Sequence, residues 1–341
     1  MSNLKKFITE RITHSEINEN SIEKINLSEF EIGEKICKNS GGYTAICKKT
    51  KTNKIYSLFV LSKAEIMKTK HIDYPLNLYQ NLSSLYHPFI IELKGINNTD
   101  PYNLFFLFEF LTGGPLKYLI KVNKKLPIEY AKFYSACIIT VFDYLHKKNI
   151  IYRDLRPENI IFNMNGYIKL SDFFLSKKLK NDYAYSTCGM LEYYPPEMIN
   201  NTGYNKSIDF WQLGILLYEM LIGSTPFSDS DPVNLFIKIK KCKIVFPKNT
   251  NKNAKNLIKH FLNTDIYKRL GCTKKGIYEI VQHPFYDGFD WEALLHRSLE
   301  PPFIPKINQL IYLSNYRKLE NIHLDDNCVP IQKEKDPFYN W

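Results

Sequence analysis

The sequence predicts an α+β protein of two unequal parts: a small, antiparallel β-rich lobe with one main helix, then a larger, mostly α-helical lobe. Three observations predict it. Short runs of strand-forming residues crowd into 30–111, notably 55–61 and 104–110, with one helix-like stretch near 71–86 between them. Thr112-Gly113-Gly114-Pro115 then breaks the chain. Beyond the break, apolar residues recur at helical spacing, most clearly over 131–146 and 208–222.

Taken in order, residues 1–29 are polar with sparse apolar positions (Phe7, Ile8, Ile12, Ile17, Ile22, Ile25), the pattern of an amphipathic helical extension or of a partly ordered lead. Residues 30–286 carry the main domain, divided at 111/112. From 287 the chain is punctuated by proline and reads as an extended tail reaching 341.

A chain of 341 residues, 44% of them hydrophobic, can bury a large core. Forty-six basic against 35 acidic residues give a net charge of +11, but the lysines are dispersed, which argues for a solvated surface and against nucleic acid as partner. Seven widely spaced cysteines form no CxxC pair, so neither a disulfide framework nor a zinc site is indicated and a reducing cytoplasm is expected, with nuclear entry left open. No apolar run reaches the ~18 residues a membrane span needs.

The motif strings carry the chemistry. Ile151-Tyr152-Arg153-Asp154-Leu155-Arg156-Pro157-Glu158-Asn159 resembles the catalytic loop of protein kinases. Around it stand Tyr144-Leu145-His146, Asp172-Phe173, Cys188-Gly189, Glu192 to Glu197, Gly203-Tyr204-Asn205-Lys206, Asp209-Phe210-Trp211, Pro301 to Pro305 and a terminal Phe338-Tyr339-Asn340-Trp341. So many strings in order resemble the AGC group of protein kinases, of the cAMP-dependent catalytic-subunit type, over 30–341.

The resemblance implies roles. Asp154 is the base for a Ser or Thr hydroxyl, Arg156 the cation near the γ-phosphate, and Asn159 with Asp172 the Mg2+ pair. Gly42, Thr44, Ser57, Glu109 and Leu111 fall at nucleotide-contacting positions. Ser186 occupies the place of an activating phosphorylation, with Arg153 and Lys177 as its cations. Phe338 and Trp341 are the tail anchor. Asp209 caps the catalytic-loop backbone, and Leu82, Leu93, Tyr152 and Phe173 match an internal apolar column. The plain alternative for the retained polar residues is that they stabilise the fold, and for Ser186 that it is an ordinary exposed serine.

The pattern breaks in the small part. The glycine loop reads Cys37-Lys38-Asn39-Ser40-Gly41-Gly42, with Cys37 and Asn39 at two glycine positions. Phe59 stands at the nucleotide-gripping lysine and Leu78 at its glutamate partner; we expect these two to pack together. Replacing both members of a buried ion pair by apolar groups avoids stranding a charge. Phe174 follows Asp172-Phe173 where glycine is usual, Met190-Leu191 replaces Thr-Pro, Tyr316 to Leu319 replaces an acidic tail segment, and Pro115 replaces an acidic residue, while Glu158 and Glu219 are retained. Phe108, with Phe59, is expected to fill part of the adenine space as core. Lys38 and Lys48 are the nearest substitute cations.

Two functions follow: a pseudokinase that binds a protein partner, of regulatory-subunit type among the candidates, or an active serine/threonine kinase acting on a protein substrate. ATP and Mg2+ are the cofactors of the second; the first needs none. A nucleotide sensor that binds ATP without transfer is a third reading.

Overall fold

The structure, a computed structural model, describes residues 22–39, 42–70, 72–179, 183–306 and 330–339. They divide into two compact units. One contains 22–86, 91–112 and the described tail at 306 and 330–339; the other contains 87–90 and 113–305.

The smaller unit is a six-stranded sheet: β1 (Glu23–Lys24), β2 (Phe30–Asn39), β3 (Gly42–Lys49), β4 (Ile55–Ser62), β5 (Leu93–Asn97) and β6 (Asn103–Glu109), in the spatial order β1-β5-β6-β4-β3-β2. Every pairing is antiparallel except β1 with β5. The period of two sorts the side chains. Leu58, Val60, Cys47, Phe105 and Leu107 gather on one face with Ile25 and Phe30. Thr44, Phe59 and Phe106 lie in register on the other.

A short helix, α1 (Lys63–Thr69), precedes the expected main helix, α2 (Asp73–Ser83). Ser62 starts α1 by accepting a hydrogen bond from the Glu65 amide at 3.3 Å. Leu78 and Leu82, four apart on α2, are both buried.

The described part of the expected N-terminal helix is not helical. Glu23–Lys24 pairs with β5, the Ile25 amide donates to Ile96 O at 2.9 Å, and a 3-10 turn follows at Leu27–Glu29. The spacing of Ile22 and Ile25 suits a helix, but the edge of β5 offers backbone partners that satisfy the chain as strand. Residues 1–21 lie outside the described residues.

The larger unit contains α3 (Leu116–Asn123), α4 (Ile128–Lys147), β7 (Ile150–Ile151), β8 (Ile160–Phe162), β9 (Ile168–Leu170), β10 (Lys177–Lys178), α5 (Pro196–Ile199), α6 (Ser207–Ile222), α7 (Pro232–Lys241), α8 (Lys252–Phe261), α9 (Ile277–Val281) and α10 (Trp291–Leu295). Helix α6 is apolar nearly all round and buried accordingly. It stops at Gly223, whose φ of 96° suits glycine and where a Cβ would lie 1.8 Å from Lys124 O. Glu197 and Arg269 form a buried bidentate pair at 2.6 and 2.9 Å. Residues 291–295, expected in an extended tail, form α10, begun by the Asp290 side chain capping the Ala293 amide at 2.9 Å.

Candidate active site

The larger unit assembles the catalytic-loop residues around one buried carboxylate. Asp209, in the first turn of α6, accepts from the Tyr152 amide at 3.1 Å and the Arg153 amide at 2.9 Å, and hydrogen-bonds His146 at 2.7 Å. Those bonds hold Arg153 in the left-handed region, φ 70°, a conformation that costs free energy without such support. The expected capping role of Asp209 is thus a matter of geometry.

Asp154 follows. Asn159 Nδ2 donates to Asp154 Oδ2 at 2.7 Å and to Asp154 O at 2.9 Å, and Arg156 Nε lies 3.5 Å from Asp154 Oδ2. Burial pushes the Asp154 carboxyl up to about 7; Arg156 and Asn159 oppose the shift, and Asp172 and Glu158 add to it. Asp172 is also raised, by burial, against the Phe174 amide and Arg156.

Asp172 sits at φ 52°, with a 3-10 turn at Phe173–Leu175 behind it. Phe173 is fully buried, its ring 5.1 Å from Tyr152 in an edge arrangement. Phe174 is held inside that turn, so the segment stands in the state with Phe173 inward. Within the smaller unit, Leu82 and Leu93 are buried as well.

The donors that Asn159 and Asp172 offer are oxygens, the hard set that Mg2+ takes. They fit that ion, which would neutralise charge on nucleotide phosphates when bound.

Arg153 turns toward the activation segment. Its guanidinium donates to Leu175 O at 2.7 Å, to Ser186 Oγ at 2.8 Å and to the Tyr204 hydroxyl at 2.8 Å. The Tyr204 hydroxyl in turn donates to Ser186 O at 2.5 Å. Ser186 is exposed and already touches its expected cation; Lys177 lies on β10, opposite Ile151. Sequence reading missed Tyr204 as a member of this cluster, because only its place in a motif string was visible. Met190 and Leu191 are exposed at the next turn, and Pro115 precedes α3.

The smaller unit places the remaining positions. Phe59 is half-buried in β4, opposite Thr44 and Phe106, with its ring 6.4 Å from that of Phe106. Ser57 is opposite Ile46 and Phe108, and Phe108 is buried. Glu109 accepts from the Glu92 amide at 2.8 Å; Leu111, beyond β6, is half-buried. Lys48 pairs with Glu31 at 3.8 Å and is opposite Ile55, four residues along β4 from Phe59. That is about 13 Å of strand, too far for its ammonium to take the missing lysine's place. Gly42 keeps its place for a reason of its own: a Cβ there would lie 2.1 Å from Val60 O. Cys37 pairs with Thr44 and Asn39 with Gly42, so the hairpin register persists up to the turn.

Phe338, the first anchor residue, is fully buried, and Asn98 Nδ2 donates to its carbonyl at 2.7 Å. The side chain of Lys63, wholly buried, meets Asp336 Oδ2 at 2.5 Å, Asp100 O at 2.6 Å and Asn98 O at 2.8 Å. Sequence reading missed this tail lock. Trp341, Lys38's side chain and 316–319 lie outside the described residues.

The family model for the protein kinase domain matches residues 30–286. The cAMP-dependent protein kinase type 3 of Saccharomyces cerevisiae is 36% identical over 286 residues, covering 84% of this chain and 71% of that protein. The cAMP-dependent protein kinase catalytic subunit PRKX of Mus musculus is 36% identical over 294 residues, 86% of this chain and 82% of that protein. The cAMP-dependent protein kinase catalytic subunit of Arthrobotrys oligospora is 35% identical over 285 residues, and the chain spans 54% of its length. The chain belongs to the protein kinase family, in its AGC group, and is similar to catalytic subunits of the cAMP-dependent kind.

Proposed function

We propose that this protein is a pseudokinase of the AGC serine/threonine type that acts by binding a protein partner, with phosphoryl transfer impaired or absent. One observation carries the reading: the position of the nucleotide-gripping lysine holds Phe59, flanked in register by Thr44 and Phe106, while its expected acidic partner is the buried Leu78. Phosphoryl transfer depends almost wholly on positioning and charge, and the main cation on the α- and β-phosphates is gone. Lys48 cannot supply it from its place opposite Ile55. The partner is a protein, of the regulatory-subunit type that the family resemblance suggests, met in the cytoplasm.

A second reading, an active serine/threonine kinase, is favoured by the order of the catalytic loop, where Asn159 steadies Asp154 at 2.7 Å. On it, Asn159 and Asp172 would hold Mg2+, Asp154 would accept the hydroxyl proton and Arg156 would steady the transferred phosphate.

Thermal melting with ATP, with and without Mg2+, separates the two. Nucleotide at ~100 times its dissociation constant adds about 2.7 kcal/mol of stability, a shift of several degrees. A flat melt at millimolar ATP is the expected outcome. A Mg2+-dependent shift, followed by phosphate transfer to a serine peptide that Asp154→Asn abolishes, would establish the second reading.

A further inference from the structure

Beside the catalytic loop, two carboxylates share one lysine of the same chain. Lys117, in the first turn of α3, places its ammonium 2.8 Å from Glu219 Oε1 and 3.5 Å from Glu158 Oε1. Glu219 comes from the end of α6 with its side chain almost wholly buried, and its other oxygen accepts the Tyr193 hydroxyl. Glu158 stands four residues after Asp154. Its Oε2 is shielded from solvent and has no hydrogen-bond partner. Burial works against the charge on Lys117, yet its bonds and charge contacts to Glu219 and then Glu158 hold the ammonium above its usual range.

Two negative charges thus face one positive charge, and one carboxylate oxygen is left over. An ammonium is a point donor and serves Glu219 well and Glu158 poorly. A guanidinium presents a planar fork of five donors that can reach two carboxylates together. The site is therefore chemically suited to an arginine from another polypeptide, and Lys117 stands in its place. The lysine stem is partly exposed, so its head is held by the hydrogen bond and charge contact to Glu219 and by the weaker contact to Glu158.

We propose that Lys117 is a specificity-determining residue: a resident cation that caps the Glu158–Glu219 pair and bars a basic side chain from binding beside Asp154. This rests on the reading above that the protein acts by binding a protein partner, and it places that contact at the face around Asp154. It makes this chain a poor receptor for arginine-containing peptides, although both acidic residues are present. A partner would have to displace Lys117 or bind without an arginine at this position.

The test is a fluorescence-anisotropy titration of the full chain with a labelled nonapeptide bearing paired arginines before a serine, against the same peptide with citrulline for arginine. The native chain and Lys117→Arg should discriminate less than threefold between them. Lys117→Met should bind the arginine peptide at least tenfold more tightly than the native chain does, with the gain lost in high salt and in Lys117→Met/Glu219→Gln. Because Lys117→Met strands the Glu219 charge, Glu219→Gln alone provides a second reading and should leave the native affinity unchanged. Equal affinity in native and Lys117→Met chains of equal melting temperature overturns the proposal. So does a native chain that already prefers arginine tenfold, or one that loses affinity with Glu219→Gln. Binding by none of the variants overturns it too, and leaves the nucleotide melt as the separate judge of the pseudokinase reading.

Discussion

The catalytic loop and the β4–α2 region have lost and kept different things. In the larger unit a polar network holds the loop: Asp209 fixes the backbone, Asn159 fixes Asp154, and Arg153 gathers Leu175, Ser186 and Tyr204. In the smaller unit the corresponding ion pair has become Phe59 and Leu78. Yet that unit has not given up buried charge. Among its described residues it keeps one fully buried ion pair, Lys63 with Asp336, and uses it to fasten the tail. The difference teaches that the position of Phe59 and Leu78 does without charge, while charge that holds structure remains at Lys63 and Asp336.

The largest expected effect tests that second half. Asp336→Ala leaves the wholly buried Lys63 without a counter-ion and should cost about 3–5 kcal/mol in urea unfolding, as removing one partner of a buried pair does. Lys63→Met/Asp336→Ala should recover most of it. A loss below ~1 kcal/mol would mean that the tail is not fastened by charge.

A double-mutant cycle probes the first half. Leu78→Glu buries a lone carboxylate and should destabilise by about 2–3 kcal/mol; Phe59→Lys, at a half-buried site, should cost less. If the two side chains adjoin, Phe59→Lys/Leu78→Glu is more stable than the sum of the single losses by about 1 kcal/mol or more. Strict additivity would break the idea that they replaced a contacting pair.

The smallest effect sharpens the larger unit's side of the comparison. His87 is buried, its Nδ1 accepts from the Phe89 amide at 3.2 Å, and burial with the Lys169 charge pushes its pKa down to about 3. The unfolded imidazole takes a proton near pH 6.5, and the folded one does not until about pH 3. Its contribution is therefore present above pH 6.5 and is lost as pH falls, at up to about 1.4 kcal/mol per unit. Between pH 7 and 5 the native chain should lose up to about 2 kcal/mol more than His87→Gln, read from urea midpoints.

Much of this was legible in the sequence. The runs at 55–61 and 104–110 became β4 and β6, and the helical spacing at 131–146 and 208–222 became α4 and α6, because alternation and helical periodicity are local properties of the chain. The motif strings placed Asp154, Asn159 and Asp209 for the same reason: each lies at a fixed offset from its neighbours. Over 22–29 the expected helix gives way to a strand and a 3-10 turn, because its apolar spacing is outweighed by a strand edge some seventy residues away.

By itself, then, the sequence determined the kinase family and the two-part α+β fold, and it supplied the catalytic-loop residues and the joint replacement at Phe59 and Leu78 as expectations. The tertiary structure decided which charges meet. Lys63 finds Asp336 across 273 residues and Lys117 finds Glu219 across 102. No periodicity or offset along the chain marks such partners, because a charge acts over a few ångströms of space and is indifferent to the length of chain between.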